Sequence, residues 1–231
     1  MVSISTEIFD RLVNFKGYGN PAGKYWFIGM EEGLERGGDL QRELEVRATW
    51  NEVEDVHVTR SSLGLTMVGR HPTWYAMARM ALKLDGNEEW ASPAFSKPYK
   101  EQRLGRLDGD TFLIEILPLP ATRAHEWPYS VPFDTREEYE LEIRPARLNM
   151  IRDLMSQCSP RIVFCHGATN WESCRTMFPG QYVELLDGDI QAARVGSSLV
   201  VLTWNLSAWG MEIPKLGQIV DAAMDFEART A

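Results

Sequence analysis

The stretch Tyr25-Trp26-Phe27-Ile28-Gly29-Met30-Glu31-Glu32-Gly33 decides the fold class. Its first half is a short apolar run, and Gly17, Gly19, Pro21 and Gly23 punctuate the chain before it. A run of this kind reads as a strand buried on both faces, the pattern of a parallel sheet covered by helices. The strand is expected over residues 25–30, opening into a glycine-rich loop that carries two acids. Three further runs have the same character, at residues 112–117, 162–165 and 199–203. Pro118 and Pro120 are expected to stop the first of these.

Helical patterns lie between the strands. Ser3 or Ser5 can cap a helix on which Ile8, Leu12 and Phe15 share a face. Pro72 opens a helix over 73–84, with Trp74, Met77 and Leu84 at helical spacing. Residues 136–157 read as a long helix that Pro145 should interrupt or kink. Helices near 169–178 and 213–226 complete the alternation. Residues 34–72 break the rhythm: 39–50 fits a helix, and 51–66 a long loop. No repeat, low-complexity tract or linker divides the chain. The expectation is one α/β domain over 1–231, with a central four-stranded parallel sheet, helices on both faces, and 34–72 as an insertion.

Apolar residues make up 44% of the 231 and aromatics 10%, enough for a sizeable core. The net charge of -9 argues against broad affinity for nucleic acid or anionic membrane, while leaving room for a local basic groove. The three cysteines, Cys158, Cys165 and Cys174, match no zinc or cluster spacing. Cys165 reads as a small buried hydrophobe. No apolar run approaches a membrane span, and the opening MVSISTEIFDRL lacks the pattern of a signal peptide. A reduced, cytoplasmic compartment is the simplest expectation.

In open sheets of this type ligands sit beyond the carboxyl ends of the strands. Those ends carry Glu31 and Glu32, Glu115, His166, and Asn205 with Ser207. A phosphate-cradling loop at GMEEGLERGG is disfavoured, because Glu31, Glu32 and Glu35 would repel the anion. The plain alternative is a solvated acidic face near a helix start. Glu115 is costly in an apolar strand unless it belongs to a site or pairs with an arginine such as Arg123. His166 reads either as a satisfied structural histidine or as a site residue. A metal site built from Glu31, Glu32, His166 and His71 lacks recognisable ligand spacing. No serine sits in a nucleophile elbow, and Cys174 has no adjacent base. The run KPYKEQRLGR, 97–106, has four basic residues and one acid, and reads as a solvated loop or a phosphate contact.

Taken together, the strand-end segments resemble the uracil-DNA glycosylase superfamily, most closely its mismatch-specific branch. That family carries a motif of the form G-(Q/I/M)-(D/N)-P after its first strand, and Gly29-Met30-Glu31-Glu32 occupies the place. A second motif, H-P-S-P-L or N-P-S-G-L, corresponds to Asn205-Leu206-Ser207-Ala208-Trp209. FLIEILPLPATRAHEW is similar to the family's proline- and threonine-containing segment, and SPRIVFCHGATNW to its third strand and Gly-Ala turn. The resemblance covers about 25–35, 110–128, 158–178 and 199–226, in the right order.

The resemblance implies a glycosylase in which Glu31 polarises water toward the sugar C1′ and Asn205 assists the departing base. It makes Glu32, Glu115, Trp74, His166, Ser207 and Trp209 the substrate-binding group. Trp209 stands at the wedge that enters the duplex. Trp74, ahead of Met67 and Trp50, is the candidate for base stacking. No cofactor or metal is implied, and the partner is DNA or another nucleobase-containing ligand, with no membrane. Several positions depart from the family. Glu31 is one methylene longer than Asp, and Glu32 and Leu206 replace prolines. An ionised Glu115 would supply acceptors only, suiting adenine or cytosine better than uracil. One of the paired acids would serve water, the other shape or proton supply. Two other readings stay open: a pocket that binds a base or nucleotide without turnover, and a hydrolase of a small nucleoside-like substrate.

Overall fold

The computed structural model describes residues 2–34, 39–121, 127–208 and 210–230. Glu35, Arg123 and Trp209 lie outside the described residues. In chain order the strands are β1 (Val2–Ser3), β2 (Gly17–Gly19), β3 (Tyr25–Gly33), β4 (Val53–Glu54), β5 (Thr111–Ala121), β6 (Tyr129–Val131), β7 (Ile162–His166), β8 (Val183–Leu185), β9 (Ile190–Val195) and β10 (Ser198–Thr203). The helices are α1 (Thr6–Asn14), α2 (Leu40–Arg47), α3 (Val56–Ser62), α4 (Pro72–Leu84), α5 (Pro93–Gln102), α6 (Arg136–Cys158), α7 (Trp171–Met177) and α8 (Ile213–Arg229).

The four expected strands form a contiguous parallel block, in the order β5-β3-β7-β10. The whole sheet is larger than expected. It has eight strands, and it is mixed: β9 and β8 extend it antiparallel beyond β10, while β2 and β4 extend it beyond β5. Alternate side chains of each central strand enter two cores. Phe27, Phe164 and Val201 pack with α4 and α8 on one face. Trp26, Ile114 and Val200 pack with α1, α6 and α7 on the other. Every residue from Ser198 to Thr203 is buried, as a strand covered on both sides requires.

Two strand ends differ from expectation. β3 continues through Glu31 and Glu32 to Gly33, so both acids lie within the strand rather than in a loop. β5 runs on through Pro118 and Pro120. Its neighbour β2 pairs only at Phe112 and Leu113, which leaves the outer edge beyond them without a strand partner among the described residues. A missing N–H there breaks no ladder bond. The Leu119 N–H is instead accepted by the Tyr139 hydroxyl at 3.0 Å.

The added strand β2, between β4 and β5, was hidden by its composition. Gly17 and Gly19 have φ of +150° and +95°, and a Cβ on either would strike a β5 carbonyl oxygen at 2.3 Å. Glycine therefore permits this close approach, although in sequence it reads as a breaker. The supposed loop at 51–66 holds β4 and then α3, which Asp55 caps by accepting the His57 N–H. The basic run from 97 is a solvated loop only in its second half, after Gln102. Its first half lies in α5, and Lys100 is fully buried, donating to the Gly69 carbonyl and lying 4.3 Å from the Tyr75 ring centroid. Among the described residues no helix is long and apolar enough to cross a membrane.

Candidate functional site

The strand order reverses at β3, which has β5 on one side and β7 on the other. Connections leave such a point toward opposite faces and open a crevice beyond the carboxyl ends. A cleft of about 610 Å³ lies there. Glu31 and Glu32 from β3, Glu115 from β5, His166 at the end of β7, Asn205 after β10 and Trp74 from α4 all line it. Six of the eight residues expected at the site are thus in one cavity. Ser207 faces a neighbouring groove instead, and Trp209 lies outside the described residues.

The three carboxyl groups differ in their surroundings. Glu32 accepts from Arg47 Nη1 at 2.7 Å and from the Tyr18 hydroxyl at 2.5 Å. Burial opposes its ionisation, but Arg47 and Tyr18 outweigh burial and hold its pKa below the usual value. Arg47 is itself braced by Glu43 at 2.7 Å. Glu32 is a fixed anion, and the sequence-based idea that it supplies a proton fails on that ground.

Glu31 accepts from Arg136 Nη2 at 2.7 Å, and both side chains are about nine-tenths buried. Burial raises its pKa; Arg136 opposes the rise without cancelling it. Arg136 also donates to Glu140 at 2.6 Å, so the pair is held within a ladder along α6. Neither acid belongs to a solvated face.

Glu115 is the exception. Its Oε2 is buried without a hydrogen-bond partner among the described residues. Burial, with Glu32 and Glu31 nearby, pushes its pKa well above the usual carboxylate value. Arg147 approaches the strand here, but it donates to the backbone carbonyls of Glu115 and Ile116 rather than to the carboxyl group. The acceptor-only reading of Glu115 rests on its ionised form, which burial and the two neighbouring acids disfavour. A neutral carboxylic acid offers one donor and one acceptor, as an amide does.

His166 is neutral for the same reason, since burial lowers its pKa to about 4. Its Nε2 has no hydrogen-bond partner among the described residues. Asn205 is exposed, and its Oδ1 accepts from both the N–H and the hydroxyl of Ser207, at 3.0 and 2.9 Å. A backbone N–H needs an acceptor, which identifies the amide oxygen and leaves the NH₂ without a hydrogen-bond partner among the described residues. Ser207 thus holds the Asn205 amide through two hydrogen bonds.

Of the three aromatic or thioether candidates for stacking, only Trp74 lines the cleft. Arg60 lies 5.2 Å from its ring centroid, and the His71 ring lies 5.1 Å away. Met67 is buried in the core, and Trp50 packs against Phe15 and Arg47. Among the described residues no group of three His, Cys, Asp or Glu side chains could hold a metal ion, so the set of Glu31, Glu32, His166 and His71 is not supported.

Sequence reasoning missed Arg136, Arg47 and Tyr18, which hold the acids. Arg136 is 105 residues from Glu31, and no local pattern marks that pairing. It also missed Gly29, although the glycine within an otherwise apolar strand was a readable signal of close approach. No protein-family model matches the chain, and no curated protein sequence matches it.

Proposed function

We propose that the cleft hydrolyses an N-glycosidic bond, releasing a base by attack of water at the sugar C1′. The observation that carries this reading is the Glu115 carboxyl group, its Oε2 buried without a hydrogen-bond partner among the described residues, in the same cleft as Glu31, His166 and Asn205. A nucleobase edge supplies the complement that these groups lack. Glu115 can donate to a ring carbonyl while accepting from the adjacent N–H, which fits a lactam edge as in uracil, hypoxanthine or xanthine. This changes the expected preference away from adenine and cytosine.

In this mechanism Glu31 orients the attacking water, and its charge stabilises the oxocarbenium-like transition state. Water adds its hydroxyl to C1′ and gives its remaining proton to Glu31, the C–N bond breaks, the base leaves with the bonding electrons, and that proton passes through solvent to the base anion. The Asn205 NH₂ donates to the base as negative charge develops on it. Trp74 supplies an aromatic face for the bound base. The resemblance to uracil-DNA glycosylases supports the same assignment of Glu31 and Asn205.

One observation favours a second reading, a pocket that binds without turnover. The Oε2 of Glu31 is already claimed by Arg136, which reduces its basicity toward water. Base release from oligonucleotides carrying uracil, hypoxanthine, xanthine, thymine mismatches or alkylated bases separates the two. Release of a lactam base supports hydrolysis; saturable base binding with no release supports the second reading.

A further inference from the structure

A second groove, of about 660 Å³, lies beside the acid cleft, and its electrostatics are opposite. The two share a wall. His71, Thr73 and Trp74 of the α4 start line the cleft, whereas Arg70, Pro72, Tyr75 and Arg79 line the groove. The loop after β10 divides in the same way, with Asn205 in the cleft and Leu206, Ser207 and Ala208 in the groove.

Three cations, Arg70, Arg79 and Lys97, line this groove, against one carboxylate, Glu212. Among the described residues none of the three forms an ion pair. Arg79 is packed 5.6 Å from the Tyr75 ring centroid, and its buried Nε has no hydrogen-bond partner among the described residues. Three helices also begin here: Pro72 opens α4, Pro93 opens α5, and Ile213 and Pro214 open α8. Neither α4 nor α8 has a side-chain cap, so the first-turn N–H groups of both lack that acceptor. Helix starts carry partial positive charge, and three of them add to three unpaired cations. On a chain of net charge -9 this is a local reversal of sign.

We propose that this groove binds the phosphate of the ligand whose base enters the acid cleft. The inference rests on the reading of the cleft as a base site, and it adds the residues that take the charged part. The phosphate belongs either to a free nucleotide or to a polynucleotide strand running past the shared wall. In both cases Arg70, Arg79 and Lys97 make the contacts, and the cleft itself takes no phosphate.

The test measures binding of pyrophosphate, deoxyuridine, deoxyuridine monophosphate and a short labelled single-stranded oligonucleotide at low salt. Wild type is compared with Arg70→Gln, Arg79→Gln, Lys97→Gln and the triple variant, with Arg152→Gln on α6 as control. Arg70 and Lys97 are exposed, so their variants fold even if Arg79→Gln does not. Each substitution is expected to weaken the phosphate-bearing probes about threefold to tenfold and to leave deoxyuridine unchanged. For the oligonucleotide, the slope of log K against log salt falls by about 0.7 per cation removed. A stronger effect on the monophosphate assigns a nucleotide; an effect confined to the oligonucleotide assigns a strand. Unchanged affinity in the triple variant, or no phosphate probe bound by wild type, overturns the proposal. Base release that persists with no groove effect sinks this inference alone. Loss of phosphate binding in a protein that releases no base sinks the glycosidic reading alone.

Discussion

The carboxyl group of Glu115 lies over the bare Cα of Gly29: a Cβ at that position would come within 2.1 Å of Oε2. The two residues are paired in register across β3 and β5, so the absence of a side chain at Gly29 makes the space that Glu115 fills. A glycine in the strand thus sets the position of the Glu115 carboxyl group.

Gly29→Ala forces that carboxyl group to move. Overpacking costs about 1–3 kcal/mol, and a displacement near 1 Å at a reacting site costs up to about 10²-fold in rate. The expected result is a large loss of base release with a modest loss of thermal stability, followed by calorimetry and release kinetics on one preparation. Unchanged kinetics in a folded variant would remove Glu115 from the account.

Glu115 and Glu32 give stability terms of opposite sign with pH. Glu115 is raised above the ordinary value of 4.5, so folding is undisturbed below that value and loses stability as pH rises through the folded pKa. Glu32 is lowered, so its contribution is present above 4.5 and is lost as pH falls through the folded pKa. Glu115→Gln should therefore gain melting temperature over wild type progressively toward alkaline pH. Parallel melting curves across the range would contradict a protonated Glu115.

Arg47→Ala leaves Glu32 buried without its main counter-charge, at a cost of about 3 kcal/mol. Tyr18→Phe removes one of the two donors and costs about 1.5 kcal/mol, within the range for a bond to a charged group. Denaturant unfolding measures both. Near-zero effects would show that Glu32 is not fixed by this network.

Asn205→Asp replaces the free donor by an acceptor, and base release is expected to fall about 10²-fold. Ser207→Ala leaves the donor in place but loosens its orientation, for a loss of a few fold. Equal losses in the two variants would argue against a distinct donor role for Asn205.

The parallel block was legible because buried strands are written locally, as uninterrupted apolar runs such as Tyr25–Ile28 and Leu199–Leu202. The flanking strands were not, since β2 is Gly-Tyr-Gly and its pairing depends on close approach rather than on strand propensity. The cleft was legible for a topological reason: residues at strand ends converge whatever lies between them. What sequence could not give was the state of each acid. Glu31, Glu32 and Glu115 look alike on paper, and their differences come from Arg136, from Arg47 and, at Glu115, from an Oε2 without a hydrogen-bond partner among the described residues, all set by tertiary contacts.

The most direct test is single-turnover base release by wild type, Glu31→Gln, Glu115→Gln and Glu115→Ala on the substrate that the panel identifies. Glu31→Gln should bind that substrate and release no base, Glu115→Gln should retain most of the rate, and Glu115→Ala should lose it. Release by Glu31→Gln at the wild-type rate would contradict the account at its centre.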